Sequence, residues 1–147
     1  MIHLSPGSKL YNMNKLKLII VENDSDEQVF MKEGFDETGL YDIIALLRNG
    51  DELFEFLETN KQPLPDLILS DLNMPGKNGY DILEMIKQDE VLSQIPVVIT
   101  STSFHKSSIE KCLLLGATEY MIKPETFNEY KPFAKKLYEI IKRPINQ

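Results

Sequence analysis

With one cysteine, no tryptophan and two histidines, this 147-residue chain lacks the residues for several kinds of chemistry. Cys112 alone can build neither an internal disulfide framework nor a cysteine metal cluster. Inside the apolar run "CLLL" it reads as a small buried hydrophobe. His3 and His105 are too isolated to serve as ligands, and His105 reads as a loop residue. No apolar stretch approaches the roughly 20 residues that a membrane span needs. The opening "MIHLSPGSKLYNMNK" lacks the long apolar segment of a signal peptide. Basic residues are also short, 16 Lys and Arg against 23 Asp and Glu, for a net charge of -7. That argues against non-specific binding to nucleic acid or an anionic membrane, which both need a basic surface. The expectation is a cytoplasmic protein with neither as partner.

What is present suits one soluble domain with a single good core: 42% hydrophobic and 27% charged residues. Ser-Pro-Gly marks loop near the start, so residues 1–14 are expected to be a flexible extension. The domain then covers 15–143, and Pro144 opens a short tail, 144–147.

Apolar runs and helical stripes alternate along the domain. "LKLIIV" (Leu16–Val21) is a β-rich run that stops abruptly at Glu22, Asn23 and Asp24. Phe30, Met31, Gly34, Phe35 and Thr38 then follow helical spacing, with Gly39 as the stop. Tyr41–Leu47 is a second strand, and "GDELFEFLET" a short amphipathic helix. The prolines of "KQPLPD" break the chain before a third strand, Leu67–Ser70. "GYDILEMIKQ" returns to helical spacing, and Ile95–Ser101 is a fourth strand. The stretch Ser107 to Glu110, "SSIE", matches a capping box opening a helix that ends at Gly116. Thr118–Ile122 is the fifth strand. A last helix is expected to start near Lys131, with Pro132 in its first turn.

Five strands alternating with five helices imply right-handed crossovers and a doubly wound parallel sheet. Continuously apolar strands agree, because both faces of such a sheet are covered. Sites in these folds lie outside the carboxyl ends of the strands. Reading the residues there collects Glu22, Asn23 and Asp24 after the first strand and Asp71 after the third. Ser101 closes the fourth and Lys123 follows the fifth. Taken singly each has an ordinary explanation: an Asp before a turn, a helix cap in Asp24 or Ser25, a loop serine, a solvated lysine. Together, carboxylates converging on one edge call for a cation, and hard oxygen donors favour Mg²⁺. An ammonium and a hydroxyl aimed at the same place suit a phosphoryl group. The chemistry indicated is Mg²⁺-assisted phosphoryl transfer to Asp71 as nucleophile.

The segments "IIVEND", "PDLILSDLNMPGKNGYDIL", "IPVVITSTS" and "GATEYMIKP" resemble, in order and spacing, the receiver domains of two-component response regulators. The resemblance covers about Leu16 to Lys142 and is of the stand-alone type. It implies the flavodoxin-like (βα)5 fold with strand order 2-1-3-4-5. Asp71 would then accept a phosphoryl group from a histidine of a sensor kinase or a histidine phosphotransfer protein. Glu22, Asn23, Asp71 and the backbone carbonyl of Asn73 would hold Mg²⁺. Lys123 would pair with a phosphoryl oxygen, with Pro124 after it following a cis peptide bond. Ser101 would turn to the phosphoryl group and Tyr120 would follow inward. That motion would signal through the face of the fourth helix, fifth strand and last helix, a surface suited to a downstream protein or a homodimer. Such a protein catalyses only its own phosphorylation and dephosphorylation.

One position departs from the family pattern. The second member of the acidic pair is Asn23, whose amide oxygen can coordinate but brings no charge. A pseudo-receiver that binds partners without phosphorylation is therefore the alternative. A phosphatase of the haloacid-dehalogenase type would want an aspartate at position 73, where Asn73 stands. A flavodoxin-like FMN carrier would want a hydroxyl-rich phosphate loop after the first strand, and none is there.

Overall fold

In the computed structural model of the chain, residues 15–59 and 64–143 are described. The expected N-terminal extension, the C-terminal tail and His3 fall outside them. Five strands, β1 (Leu16–Val21), β2 (Tyr41–Leu47), β3 (Leu67–Asp71), β4 (Val97–Ser101) and β5 (Glu119–Ile122), alternate with five helices. The helices are α1 (Ser25–Thr38), α2 (Gly50–Thr59), α3 (Gly79–Gln88), α4 (Lys106–Leu114) and α5 (Tyr130–Lys142). All strand pairs are parallel, in the order β2-β1-β3-β4-β5. The chain thus has the doubly wound flavodoxin-like α/β fold.

Strand periodicity sorts the core into two layers. Leu18, Ile20, Leu67, Leu69 and Val98 meet Met31 and Phe35 of α1 and Phe133, Ala134 and Leu137 of α5. Their neighbours Ile19, Val21, Ile68, Val97 and Ile99 meet Leu53 of α2, Ile82, Leu83 and Ile86 of α3 and Cys112 of α4. Cys112 is fully buried, as its apolar setting suggested. The helices α1 and α5 approach so closely that a Cβ on Gly34 would come within 2.5 Å of the Tyr130 Cβ.

Local chemistry explains the element boundaries. Asp24 caps α1 by accepting the Glu27 amide at 2.9 Å, and Gly39 ends it in the left-handed region, φ 69°. Asn78 and Asp81 form a reciprocal capping box on α3. β4 begins two residues later than its apolar run, since Pro96 offers only its carbonyl, which accepts from the Ile68 amide. α4 starts at Lys106, ahead of the expected capping box. Ser107 therefore lies inside the first turn, and His105 holds the cap position without a side-chain hydrogen bond. A 3-10 turn, Phe127–Glu129, precedes α5. No cis peptide bond occurs among the described residues, so Lys123–Pro124 is trans, against the expectation from the family. The trans form is the one an X–Pro amide prefers by about 0.5–1 kcal/mol.

Candidate functional site

The carboxyl edge of the sheet places Glu22 one residue past β1, Asp71 at the end of β3, Ser101 at the end of β4 and Lys123 one residue past β5. The register Asp71↔Thr100 and Ser101↔Ile122 brings these ends level. Glu22 and Asp71 are buried, at 2% and 7% exposure. Lys123 sits between them, its ammonium 2.8 Å from Glu22 Oε1 and 3.5 Å from Asp71 Oδ1. Glu22 Oε2 accepts the Asp24 amide at 3.0 Å. Both oxygens of Glu22 are thereby engaged, and the turn after β1 is tied to the pocket. Gln28 clips the same turn, donating from its amide to the carbonyls of Glu22 and Leu47.

Below Asp71 the chain turns through "NMPGKNG". Gly76 has φ 74°, a conformation that favours glycine. A Cβ on Gly79 would lie 2.9 Å from Leu72 Cα and 3.0 Å from the Asp71 carbonyl oxygen. The "NG" after Asp71 is therefore a packing requirement, letting α3 start directly under the acid.

Burial raises the Asp71 carboxyl from an ordinary 3.8 to about 6. The Lys123 charge pulls it back, Glu22 pushes it up, and the Asn73 backbone N–H lowers it through a hydrogen bond. Asp71 is thus mostly ionised at neutral pH. For Lys123, burial lowers the proton affinity, but the hydrogen bond to Glu22 and the charges of Asp71 and Glu22 more than reverse this. Glu27 contributes in the same direction.

The groups that would hold a cation here are hard oxygens throughout: the Glu22 and Asp71 carboxylates, the half-buried Asn23 amide and the carbonyl of Asn73. This fits Mg²⁺, which uses one or two carboxylates and otherwise keeps water. Among the described residues no third acid joins Glu22 and Asp71 in a metal-binding group. Asp24 is exposed and occupied as the α1 cap, so it does not replace the missing charge at 23.

Two site residues meet in the β4–α4 loop. Ser101 Oγ accepts the Ser103 amide at 3.1 Å, and the Tyr120 hydroxyl donates to the Ser103 carbonyl at 2.6 Å. Reading strand ends missed Ser103, which has no distinguishing pattern in "TSTS". It also missed Glu27 and Tyr130, whose side chains join α1 to α5 by a hydrogen bond from the Tyr130 hydroxyl. Burial, the bond to Glu27 and the surrounding carboxylates hold that hydroxyl well above its usual proton affinity. Thr100 Oγ1, beside Asp71 in the register, is buried with no hydrogen-bond partner among the described residues.

A flavodoxin-like sheet whose carboxyl edge holds two buried acids around one ammonium defines an α/β protein with an acidic strand-end site. The model of the response regulator receiver domain matches residues 18–133, and the chain belongs to that family. Proteins of the family are signalling proteins that interact with histidine kinases or phosphotransfer proteins. The chain is 27% identical over 139 residues to the probable methanogenesis regulatory protein FilR2 of Methanothrix harundinacea, covering 92% of this chain and 90% of that protein. The phosphorylated cyanobacterial phytochrome response regulator RcpA superposes with a TM-score of 0.77 at 28% identity, over 88% of this chain and 95% of that one. The Mn²⁺-bound response regulator Rcp1 does so at 0.75 and 25%, over 88% and 96%.

Proposed function

We propose that Asp71 accepts a phosphoryl group from a phosphohistidine of a sensor kinase or histidine phosphotransfer protein in a Mg²⁺-dependent reaction. The observation that carries this is the buried, largely ionised Asp71 carboxylate with the Lys123 ammonium 3.5 Å away. An Asp71 oxygen attacks phosphorus, the P–N bond breaks, and the histidine nitrogen keeps the electron pair and takes a proton. Glu22, Asp71, the Asn23 amide and the Asn73 carbonyl would hold Mg²⁺, which supplies charge neutralisation at the transferring oxygens. Lys123 pairs with a phosphoryl oxygen.

Ser103 supports a route from pocket to surface. A turn of Ser101 Oγ toward the phosphoryl group would strain its bond from the Ser103 amide and so loosen the carbonyl that Tyr120 holds. Tyr120 then turns inward, and the face of α4, β5 and α5 changes. That face exposes Leu114 at 87% and Ile122 at 42%, consistent with recognition by a downstream protein or a second copy.

Incubation with acetyl phosphate while Mg²⁺ is titrated, read by intact mass, tests the reading. One added phosphoryl group, absent in Asp71→Ala, supports it. Asn23 favours a second reading, a receiver that works without phosphorylation. No adduct even at high Mg²⁺, together with an adduct in Asn23→Asp, selects that alternative. Lys123→Ala is expected to permit some phosphorylation but weaken the conformational response. An unchanged response would remove Lys123 from the switch.

A further inference from the structure

Between the first turns of α1 and the segment leading into α5 lies a groove of about 350 Å³ that borders the acid pocket at Pro124. Glu27, Phe30, Glu125, Phe127 and Tyr130 line it. The Phe30 and Phe127 rings lie tilted against each other, centroids 5.3 Å apart and 31° between planes. Phe127 is nevertheless 61% exposed, a large aromatic surface left in water at the groove's edge. Tyr130 is buried and donates its hydroxyl to Glu27 Oε2, which fixes the Glu27 carboxylate in place before any ligand arrives. Of the lysines flanking these residues in sequence, Lys123 is committed to Glu22 and Asp71, Lys32 pairs with Asp36, and Lys131 is exposed on α5.

Aromatic faces beside carboxylates attract a cation twice, through the ring quadrupole and through charge. A planar guanidinium can stack on a phenyl ring and pair with a carboxylate at the same time, which a compact ammonium does less well. We infer that this groove is a docking site for an arginine side chain presented by a partner protein. Glu27 and Glu125 supply the charge, and Phe30 and Phe127 the stacking wall. The inference goes beyond the phosphoacceptor reading and does not depend on it, because Asp71 takes no part.

The test uses the full chain, ¹⁵N-labelled, titrated with a capped pentapeptide of four alanines around a central arginine. Versions with citrulline or lysine at the centre serve as comparators. Saturable shifts at the amides of Glu27, Phe30, Thr126 and Phe127 are expected with arginine, weaker with lysine and absent with neutral citrulline. Phe127→Ala, at an exposed position that the fold does not need, should weaken binding at least about threefold. Glu125→Gln should do the same without touching the Tyr130–Glu27 bond. Equal shifts with citrulline, or shifts spread over the acidic surface and indifferent to Phe127→Ala, overturn the inference. So do shifts at these amides that depend on protein concentration without peptide, since a second copy then fills the groove.

Discussion

Asp71→Asn should stabilise the metal-free protein, although it removes the proposed phosphoacceptor. The wild-type carboxyl is raised from 3.8 to about 6 in the folded state, chiefly by burial. An acid with a raised native pKa binds more protons folded than unfolded, so its ionisation costs stability as pH climbs from about 4 to 6. Each tenfold change in proton affinity is about 1.4 kcal/mol, so the cost reaches about 3 kcal/mol once pH exceeds 6. Asparagine keeps the shape and carries no charge at any pH. The expected gain is therefore about 3 kcal/mol at pH 7.5 and close to zero at pH 4. For a chain of this size 3 kcal/mol corresponds to about 6–12 °C in melting temperature. Urea denaturation of both proteins with EDTA at the two pH values measures the difference and cancels the titration of every other group. A gain of equal size at both pH values would refute the argument, and so would a variant less stable than wild type at pH 7.5.

Three further outcomes follow from other parts of the structure. Asn23→Asp should bind Mg²⁺ roughly tenfold more tightly, since charge count sets affinity at such sites; isothermal titration calorimetry gives the ratio. Gly34→Ala would set a Cβ 2.5 Å from Tyr130 Cβ and 2.9 Å from its carbonyl carbon. That forces α1 and α5 apart and should cost about 1–3 kcal/mol in urea denaturation. Tyr120→Phe frees the Ser103 carbonyl; about 1 kcal/mol of stability should be lost, with faster amide exchange confined to the β4–α4 loop.

The strands and most helix ends were legible because apolar runs and cap residues are local signals. "LIL" leads into Asp71 and "LKLIIV" into Glu22, and the strand-end rule needs only those positions to assemble the acids with Lys123. The β4–α4 loop was not legible in the same way. Its SSIE sequence satisfies a capping box on paper, but the chain enters α4 two residues earlier, with His105 at the cap position and the Ser103 hydroxyl accepting the His105 amide at 3.3 Å. The Glu27–Tyr130 bond joins residues 103 apart in sequence, and no periodicity links a first-turn glutamate to one particular tyrosine. Nor does sequence settle the Lys123–Pro124 isomer, because the two forms differ by so little energy.

The 2.8 Å contact between Lys123 and Glu22 makes the ammonium a resident counterion. Two carboxylates and one ammonium leave the pocket with one net negative charge, where an aspartate at position 23 would leave two. A divalent cation would therefore turn this pocket net positive, whereas the aspartate version would become neutral. On the proposed reading, Asn23 would weaken the hold on the cation and strengthen the pull that the loaded pocket exerts on a dianionic phosphoryl group. The pocket would then be less a metal trap than an anion receptor, armed only while local Mg²⁺ is high enough to fill it.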